Sequence, residues 1–256
     1  MHLCNATSPQ PFIKFERTFP ATFADLCEKP YGKLYYNTCN PKSHDCNHGL
    51  ILNLNTDLNQ ALEDLIMFYR LRSLTPRIYP SYQEGEKQLL LPLLLQRKFH
   101  VEYIDSRIYI RQNFSRIMPD KRLRIKRIRT MDSKISHIIK TEDGGNWNVV
   151  IIERQLQFDN FHLLVGYDKD EPVCLATLTY LHPLARLDDV ITELGNRAQG
   201  YGRALIKGIL DYHDAIAPPY NIFLWASNPT AVKIYREAGF VEPEFNLEPW
   251  EAWLAP

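Results

Sequence analysis

Residues 187–205 read LDDVITELGNRAQGYGRAL, and the part that decides the fold is Arg197-Ala198-Gln199-Gly200-Tyr201-Gly202-Arg203. A strand, about Leu187 to Leu194, precedes it, and a helical run, Arg203 to His213, follows. Two glycines therefore fall where a strand must turn sharply into a helix, and where a ligand can come close to main-chain amides. The first turn of such a helix carries unpaired N–H groups and the positive end of the helix dipole, so the expected guest is an anion such as a pyrophosphate. A dinucleotide fingerprint would need glycine at position 205, which is Leu205, and a P-loop would need a Gly-Lys-Ser/Thr ending, which is absent.

Downstream, Asn228-Pro-Thr-Ala-Val-Lys-Ile-Tyr235-Arg-Glu-Ala-Gly239-Phe240 reads as a helix bounded by its own sequence. Asn228 is a favoured N-cap, Pro229 a favoured first helical residue and Gly239 a favoured residue just past the end. Asn228 and Tyr235 lie about two turns apart, roughly 10 Å of rise, on one face.

Together the two segments resemble the signatures of the GNAT superfamily of N-acetyltransferases. Arg197, Gly200 and Gly202 match Q/R-x-x-G-x-G/A, and residues 228–240 match N-x-x-A-x-x-x-Y-x-x-x-G-F. The resemblance covers about residues 122–245 and implies an α/β (α+β) fold, with a mixed, mostly antiparallel central sheet flanked by helices. It implies an enzyme that moves an acetyl group from acetyl-CoA to a primary amine by direct attack in a ternary complex. By the same resemblance Arg197, Ala198, Gln199, Gly200, Tyr201, Gly202 and Arg203 hold the pyrophosphate. Val190, Ile191 and Thr192 pair with the pantetheine arm in a gap where their strand splays from Ile222–Ala226. Asn228 touches the middle of the ligand, and Tyr235 protonates the departing thiolate. That last role is chemically sound, because a phenol with a reference pKa near 10 stays protonated at pH 7 beside a thiol near 8.5. One departure is Leu194-Gly195-Asn196, where many members carry a proline-bearing turn, which leaves the loop geometry open.

Deprotonating an ammonium acceptor needs a base near the strand, and Asp188, Asp189 and Glu193 are candidates. Strict alternation places Asp188 on the side of Val190 and Thr192, with Asp189 and Glu193 opposite, which makes Asp188 the expected base. A second reading, a non-catalytic CoA-binding sensor or scaffold, needs the glycine turn but not Tyr235. The acceptor, a small-molecule or peptide amine, is not encoded legibly.

The first half repeats an element order. Gly49–Leu54 reads as a strand, Leu58–Tyr69 as a helix after Asp57, Thr75–Tyr79 as a strand and Glu84–Arg97 as a helix that Pro92 should kink or start. Two β-like runs follow in Phe99–Ile110, broken near Asp105 and Ser106, giving β-α-β-α-β-β. The second half opens with the basic stretch Lys121–Arg129, read as a half-buried strand. A helical region, Lys134–Ile152, is interrupted at Gly144-Gly145, and a hairpin follows over Phe161–Val165 and Val173–Tyr180. Its last stretch repeats the order of the first half, through duplication or coincidence. We expect a degenerate GNAT-like domain over 1–118 and the acetyltransferase domain over 119–256. In the first, Asn55-Thr56-Asp57 replaces the glycine turn, Leu94 stands for Tyr235 and Lys87 for Asn228, leaving a packing unit that walls the acceptor pocket or supports a homodimer.

Thirty basic and thirty acidic residues cancel to a formal charge of 0, which disfavours nucleic acid and anionic membrane as partners. The longest apolar run, Leu89 to Leu95, is too short to span a bilayer, and no basic-then-apolar leader opens the sequence. The expected address is the cytoplasm, where the five cysteines stay free thiols. Cys39, His44, Cys46 and His48 match no common zinc spacing, so no metal is expected, and the adjacent Ser43, His44 and Asp45 do not make a triad.

Overall fold

The computed structural model describes residues 8–143, 146–216 and 220–255. The chain runs α1 (Gln10–Glu16), β1 (Asp25–Lys29), β2 (Gly32–Tyr36), β3 (His48–Ile51), α2 (Leu58–Arg70), β4 (Arg77–Ile78), α3 (Glu86–Gln96), β5 (His100–Tyr103) and β6 (Arg107–Arg111). It continues through β7 (Leu123–Ile128), α4 (Ser133–Asp143), α5 (Trp147–Gln155), β8 (Phe161–Asp168), β9 (Glu171–Leu181) and β10 (Leu184–Thr192). The last elements are α6 (Tyr201–Ile216), β11 (Asn221–Ala226), α7 (Pro229–Glu237), β12 (Phe240–Val241) and β13 (Trp250–Trp253). The expected order β-α-β-α-β-β spans β3 to β6. Pro92 lies inside α3, well past its start at Glu86. The expected break at Gly144-Gly145 falls outside the described residues.

The strands form two sheets, ordered β1-β2-β3-β4-β13-β5 and β12-β6-β11-β10-β9-β8-β7. In each, one strand comes from the other half of the sequence. β13 lies between β4 and β5 and runs antiparallel to both. β6 lies between β11 and β12, again antiparallel to both. Among the described residues the compact units are accordingly 12–106 with 247–255, and 107–246 with 8–11. A single boundary between 118 and 119 does not describe this division. The pairing energy of β6 and β13 assigns each of them to the sheet it completes, not to the half of the sequence it comes from.

The repeated order is built twice. In each unit a strand, a helix, a strand paired parallel to the first, a helix and a further strand follow one another: β3-α2-β4-α3-β5 and β10-α6-β11-α7-β12. The second helix of each ends in a left-handed residue before a buried phenylalanine, Lys98 (φ 63°) before Phe99 and Gly239 (φ 96°) before Phe240. At Gly239 a Cβ would stand 2.1 Å from the Asn113 carbonyl oxygen, so the position requires glycine for space as well as for φ.

In the unit of residues 107–246, α6 lays Leu205, Ile206, Ile209 and Leu210 into a core with Leu164, Ala176, Leu178 and Ile222. A separate core joins Ile135, Ile138 and Ile139 of α4 and Val149 and Ile152 of α5 to Leu163, Val165, Leu175 and Ile191. These two layers fix the sheet between them. β7 alternates half-buried Leu123 and Ile125 with exposed Arg124 and Lys126, as expected of a solvated edge strand. Among the described residues no helix is long and apolar enough to cross a membrane.

His162 at the start of β8 is 7% exposed, and both ring nitrogens are used: Nε2–H donates to the Asp159 carbonyl (3.2 Å) and Nδ1 accepts from the Tyr212 hydroxyl (3.1 Å). Burial first, then the charge of Arg127, pushes its pKa down to about 4. The unfolded ring, with a pKa near 6.5, binds a proton that the folded ring refuses, so stability falls as pH drops from 6.5 toward 4. Between pH 7 and pH 5 this costs about 2 kcal/mol. Urea unfolding at both values should show it, and His162→Gln should shrink the difference by about that amount, leaving the share of the other buried histidines, His48 and His213.

Candidate functional site

β10 and β11 pair in parallel only at Leu184↔Asn221, Ala185↔Ile222 and Arg186↔Phe223. Beyond that point Leu224–Ala226 pair with β6 alone and the remainder of β10 with β9 alone. A gap therefore opens between two neighbouring strands, with Val190, Ile191 and Thr192 along one edge.

β10 does not alternate regularly. Its register against β9 runs Asp188↔Thr177 and then Ile191↔Leu175, so Asp189 and Val190 together oppose one residue, a β-bulge. Residues opposite one another share a face, and Thr177 and Leu175 are two apart on β9. Asp188 therefore shares the face of Ile191, while Thr192, opposite Cys174, lies on the other. This corrects the expectation that Asp188 sides with Val190 and Thr192. The extra residue reverses the alternation, and the sequence Asp188-Asp189-Val190 holds no glycine to announce it.

The turn after β10 leads into α6 at Tyr201 through two left-handed residues, Ala198 (φ 61°) and Gly200 (φ 89°). Arg197 folds back, its Nε donating to the Thr192 carbonyl (3.1 Å), and Gln199 Nε2 donates to the Gly195 carbonyl (3.1 Å). The next main-chain N–H to find a partner is that of Ala204, which donates to the Gly200 carbonyl (3.1 Å). Among the described residues the consecutive amides of Ala198, Gln199, Gly200, Tyr201, Gly202 and Arg203 have no acceptor. A Cβ at Gly200 would meet nothing nearer than Arg122 Nη2 at 4.0 Å, and one at Gly202 would meet Thr192 Oγ1 at 3.4 Å. The result is an open row of donors at a helix N-terminus, which suits an anion with several oxygens.

Side chains the sequence reading left out support this row. Arg122 Nη2 donates to the Gln199 carbonyl (3.2 Å), and its guanidinium lies 5.3 Å from the centre of the Tyr201 ring. The Tyr201 hydroxyl donates to Asp168, so Tyr201 serves the turn through its amide. Arg203 pairs with Glu237 of α7. Arg122 sits in the basic stretch 121–129, where its charge was visible but its reach to the turn was not.

α7 begins as its sequence requires, with Asn228 Oδ1 accepting from the amides of Thr230 (2.9 Å) and Ala231 (3.3 Å). One face of this helix carries Tyr235, 7% exposed and edge-on to Phe240 with ring centres 6.1 Å apart. Its hydroxyl has no hydrogen-bond partner among the described residues. Burial, and then the Asp188 carboxylate, hold its pKa well above the ordinary phenol value. Asp188 itself forms an ion pair with Arg186 (2.7 Å). Tyr235 and Asp188 thus stand within electrostatic reach of one another. The other acidic candidates are engaged elsewhere: Asp189 accepts from Thr177 and Asn148, and Glu193 accepts from Asn196. Glu193 also lines a cavity of about 770 Å³ with Lys134, His137, Asp168, Glu171 and Tyr201.

In the unit of residues 12–106 and 247–255 the corresponding positions are filled by its own groups. Asp57 Oδ1 accepts from the amides of Asn59 (3.0 Å) and Gln60 (3.1 Å), the donors an anion would need. The amides of Leu52 and Asn53 donate to the Tyr31 carbonyl, and Gln83 Nε2 bridges the Ile51 carbonyl (3.0 Å) and Ser81 Oγ (2.8 Å) across the end of β3. Leu94, where Tyr235 stands in the other unit, is fully buried, and Lys87 pairs with Glu248. Among the described residues no three His, Cys, Asp or Glu side chains could share a metal ion.

No protein-family model matches the chain. A 70-residue stretch is 36% identical to spermidine N(1)-acetyltransferase of Vibrio cholerae, covering 27% of this chain and 40% of that protein, so the match spans less than half the length of the curated relative. Among solved structures, a GCN5-related N-acetyltransferase from Kribbella flavida superposes with a TM-score of 0.68 at 10% identity, over 95% of this chain and 94% of that one. A tandem GNAT protein from the clavulanic acid biosynthesis pathway gives a TM-score of 0.54 at 10% identity, over 82% and 76%. At these identities the likeness is one of fold: the chain has the GNAT architecture, in tandem.

Proposed function

We propose that the chain is an acyltransferase that moves the acetyl group of acetyl-CoA to a primary amine, and that the unit of residues 107–246 does the work. The observation that carries this reading is the row of unpartnered amides from Ala198 to Arg203 at the mouth of the gap between β10 and β11. When bound, acetyl-CoA supplies an acyl thioester, an electrophile whose leaving group is a thiolate. The residues present fit it: the turn 197–203 for the diphosphate, Val190, Ile191 and Thr192 for the pantetheine arm, and Asn228 for the middle of the ligand.

Three tasks remain for the protein. The β10 main chain orients the thioester and polarises its carbonyl, and holding both reactants together removes much of the entropic barrier. Asp188, paired with the Arg186 guanidinium, accepts a proton from the acceptor ammonium. Tyr235, kept protonated by its burial, donates to the sulfur as the C–S bond breaks. Transfer is direct. Cys174, opposite Thr192, is fully buried, and burial pushes its thiol up to about 12, so it offers no thiolate at neutral pH.

The test is calorimetric titration of the protein with acetyl-CoA, followed by thiol release with a panel of primary amines from polyamines to peptide N-termini. Micromolar binding at one site per chain and amine-dependent release are expected. Binding without release from any amine would overturn the enzyme reading, and absence of binding would reduce the turn to a structural one.

A further inference from the structure

Asp189 is the residue of β10 with no task in that chemistry, yet it is held from two sides. Its φ of 49° is left-handed, a conformation that strains a residue other than glycine. Its carboxylate accepts from Thr177 Oγ1 of β9 and from Asn148 Nδ2 of α5, each at 2.9 Å. Both donors are buried, Thr177 2% and Asn148 6% exposed. A strained residue fixed by buried donors from two separate elements is one whose conformation the surroundings impose.

Its place in the strand gives the strain a use. Asp189 and Val190 form the bulge, directly between Asp188 and the edge Val190–Thr192 that lines the gap. Without the extra residue, everything beyond it would turn to the opposite face, and Asp188 would change sides relative to the gap edge.

We infer that Asp189, Thr177 and Asn148 form a clamp that sets the bulge in β10, and that Asp189 is thereby a positioning residue for acyl transfer; the inference rests on the acyltransferase reading above. The clamp acts on the reacting end of the gap. The diphosphate donors, Ala198 to Arg203, lie on a separate turn, so loss of the clamp lowers turnover and leaves cofactor affinity in place.

Two variants test it. Asp189→Gly removes the carboxylate at a residue type that adopts φ 49° without strain. Thr177→Val deletes one donor and keeps the side-chain shape. Each is expected to lower kcat for amine acetylation about 30-fold, the scale of a sub-ångström misplacement, with KM for acetyl-CoA within about twofold of wild type. Asp189→Asn keeps an acceptor and tolerates the left-handed backbone, and should restore kcat to within about threefold. Hydrogen exchange of peptides covering 187–192 should quicken about tenfold in the first two variants, a readout that needs no activity. Wild-type kcat in both variants overturns the inference, as does a parallel loss of kcat, cofactor affinity and thermal stability, which would mark a merely structural contact. If the wild-type protein releases no thiol, the acyltransferase reading fails and the positioning role falls with it. Exchange then decides the clamp alone: quickened, it supports a bulge set by Asp189; unchanged, it overturns that too.

Discussion

Tyr235→Phe is expected to lower amine-dependent thiol release about a hundredfold, the usual contribution of a positioned general acid, while acetyl-CoA binds within about twofold of wild type. The substitution removes one oxygen that has no partner among the described residues, so neither packing against Phe240 nor helix stability should suffer. The pH profile carries the finer information. Burial and the nearby Asp188 both raise the phenol's pKa, so the hydroxyl keeps its proton throughout the range in which thiol release would be assayed. The variant should therefore lower the whole rate profile between pH 6 and pH 9 without moving either limb. Turnover within threefold of wild type would remove Tyr235 from the mechanism.

Gly202→Glu should abolish acetyl-CoA binding in calorimetry, a loss of at least about a hundredfold, or roughly 2.7 kcal/mol. The protein itself supplies the precedent. In the other unit Asp57 occupies the amides of Asn59 and Gln60 with its own carboxylate, which closes the equivalent helix start to an anion. A glutamate at position 202 brings the same charge to the open row of donors. The fold should tolerate it, because a Cβ there meets only Thr192 Oγ1, at the ordinary contact distance of 3.4 Å. Unchanged binding with an unchanged melting temperature would show that the turn 197–203 is not where the diphosphate sits.

What the sequence made legible follows from how local each signal is. The turn 197–203, the capped helix from Asn228 and the pairing of strand and helix in each half are short-range patterns, and the structure has them where residues alone placed them. The β1–β2 hairpin was missed because Asp25–Lys29 is largely exposed and polar, with no apolar alternation to betray a strand. β13 was missed because Trp250–Trp253 has its partners far upstream, His100–Tyr103 by about 150 residues and Arg77 and Ile78 by about 175. The bulge was invisible because an aspartate, not a glycine, takes the left-handed conformation, and the donors that hold it, Thr177 and Asn148, come from two other elements. For the same reason the faces of Asp188 and Val190 were assigned by an alternation that the structure breaks. Arg122 and Asp168, which brace the turn, are distant in sequence from Tyr201 and Gln199 and carry no motif of their own.

The exchanged strands also order events during synthesis. A ribosome makes the chain from its amino terminus, and early segments ordinarily fold as they emerge. Here the first sheet cannot close on that schedule, because among the described residues β5 pairs only with β13, and β13 begins at Trp250, some 150 residues after β5. Until β13 has been made, β4 presents an unpaired edge and β5 stays unattached, the kind of exposed strand surface that invites pairing with other chains. The second sheet has the opposite schedule, since β6 is made before β11 and β12 and waits for them. The nascent chain therefore carries an open edge while the whole stretch from β6 to β12 is made, and that edge closes only when β13 arrives.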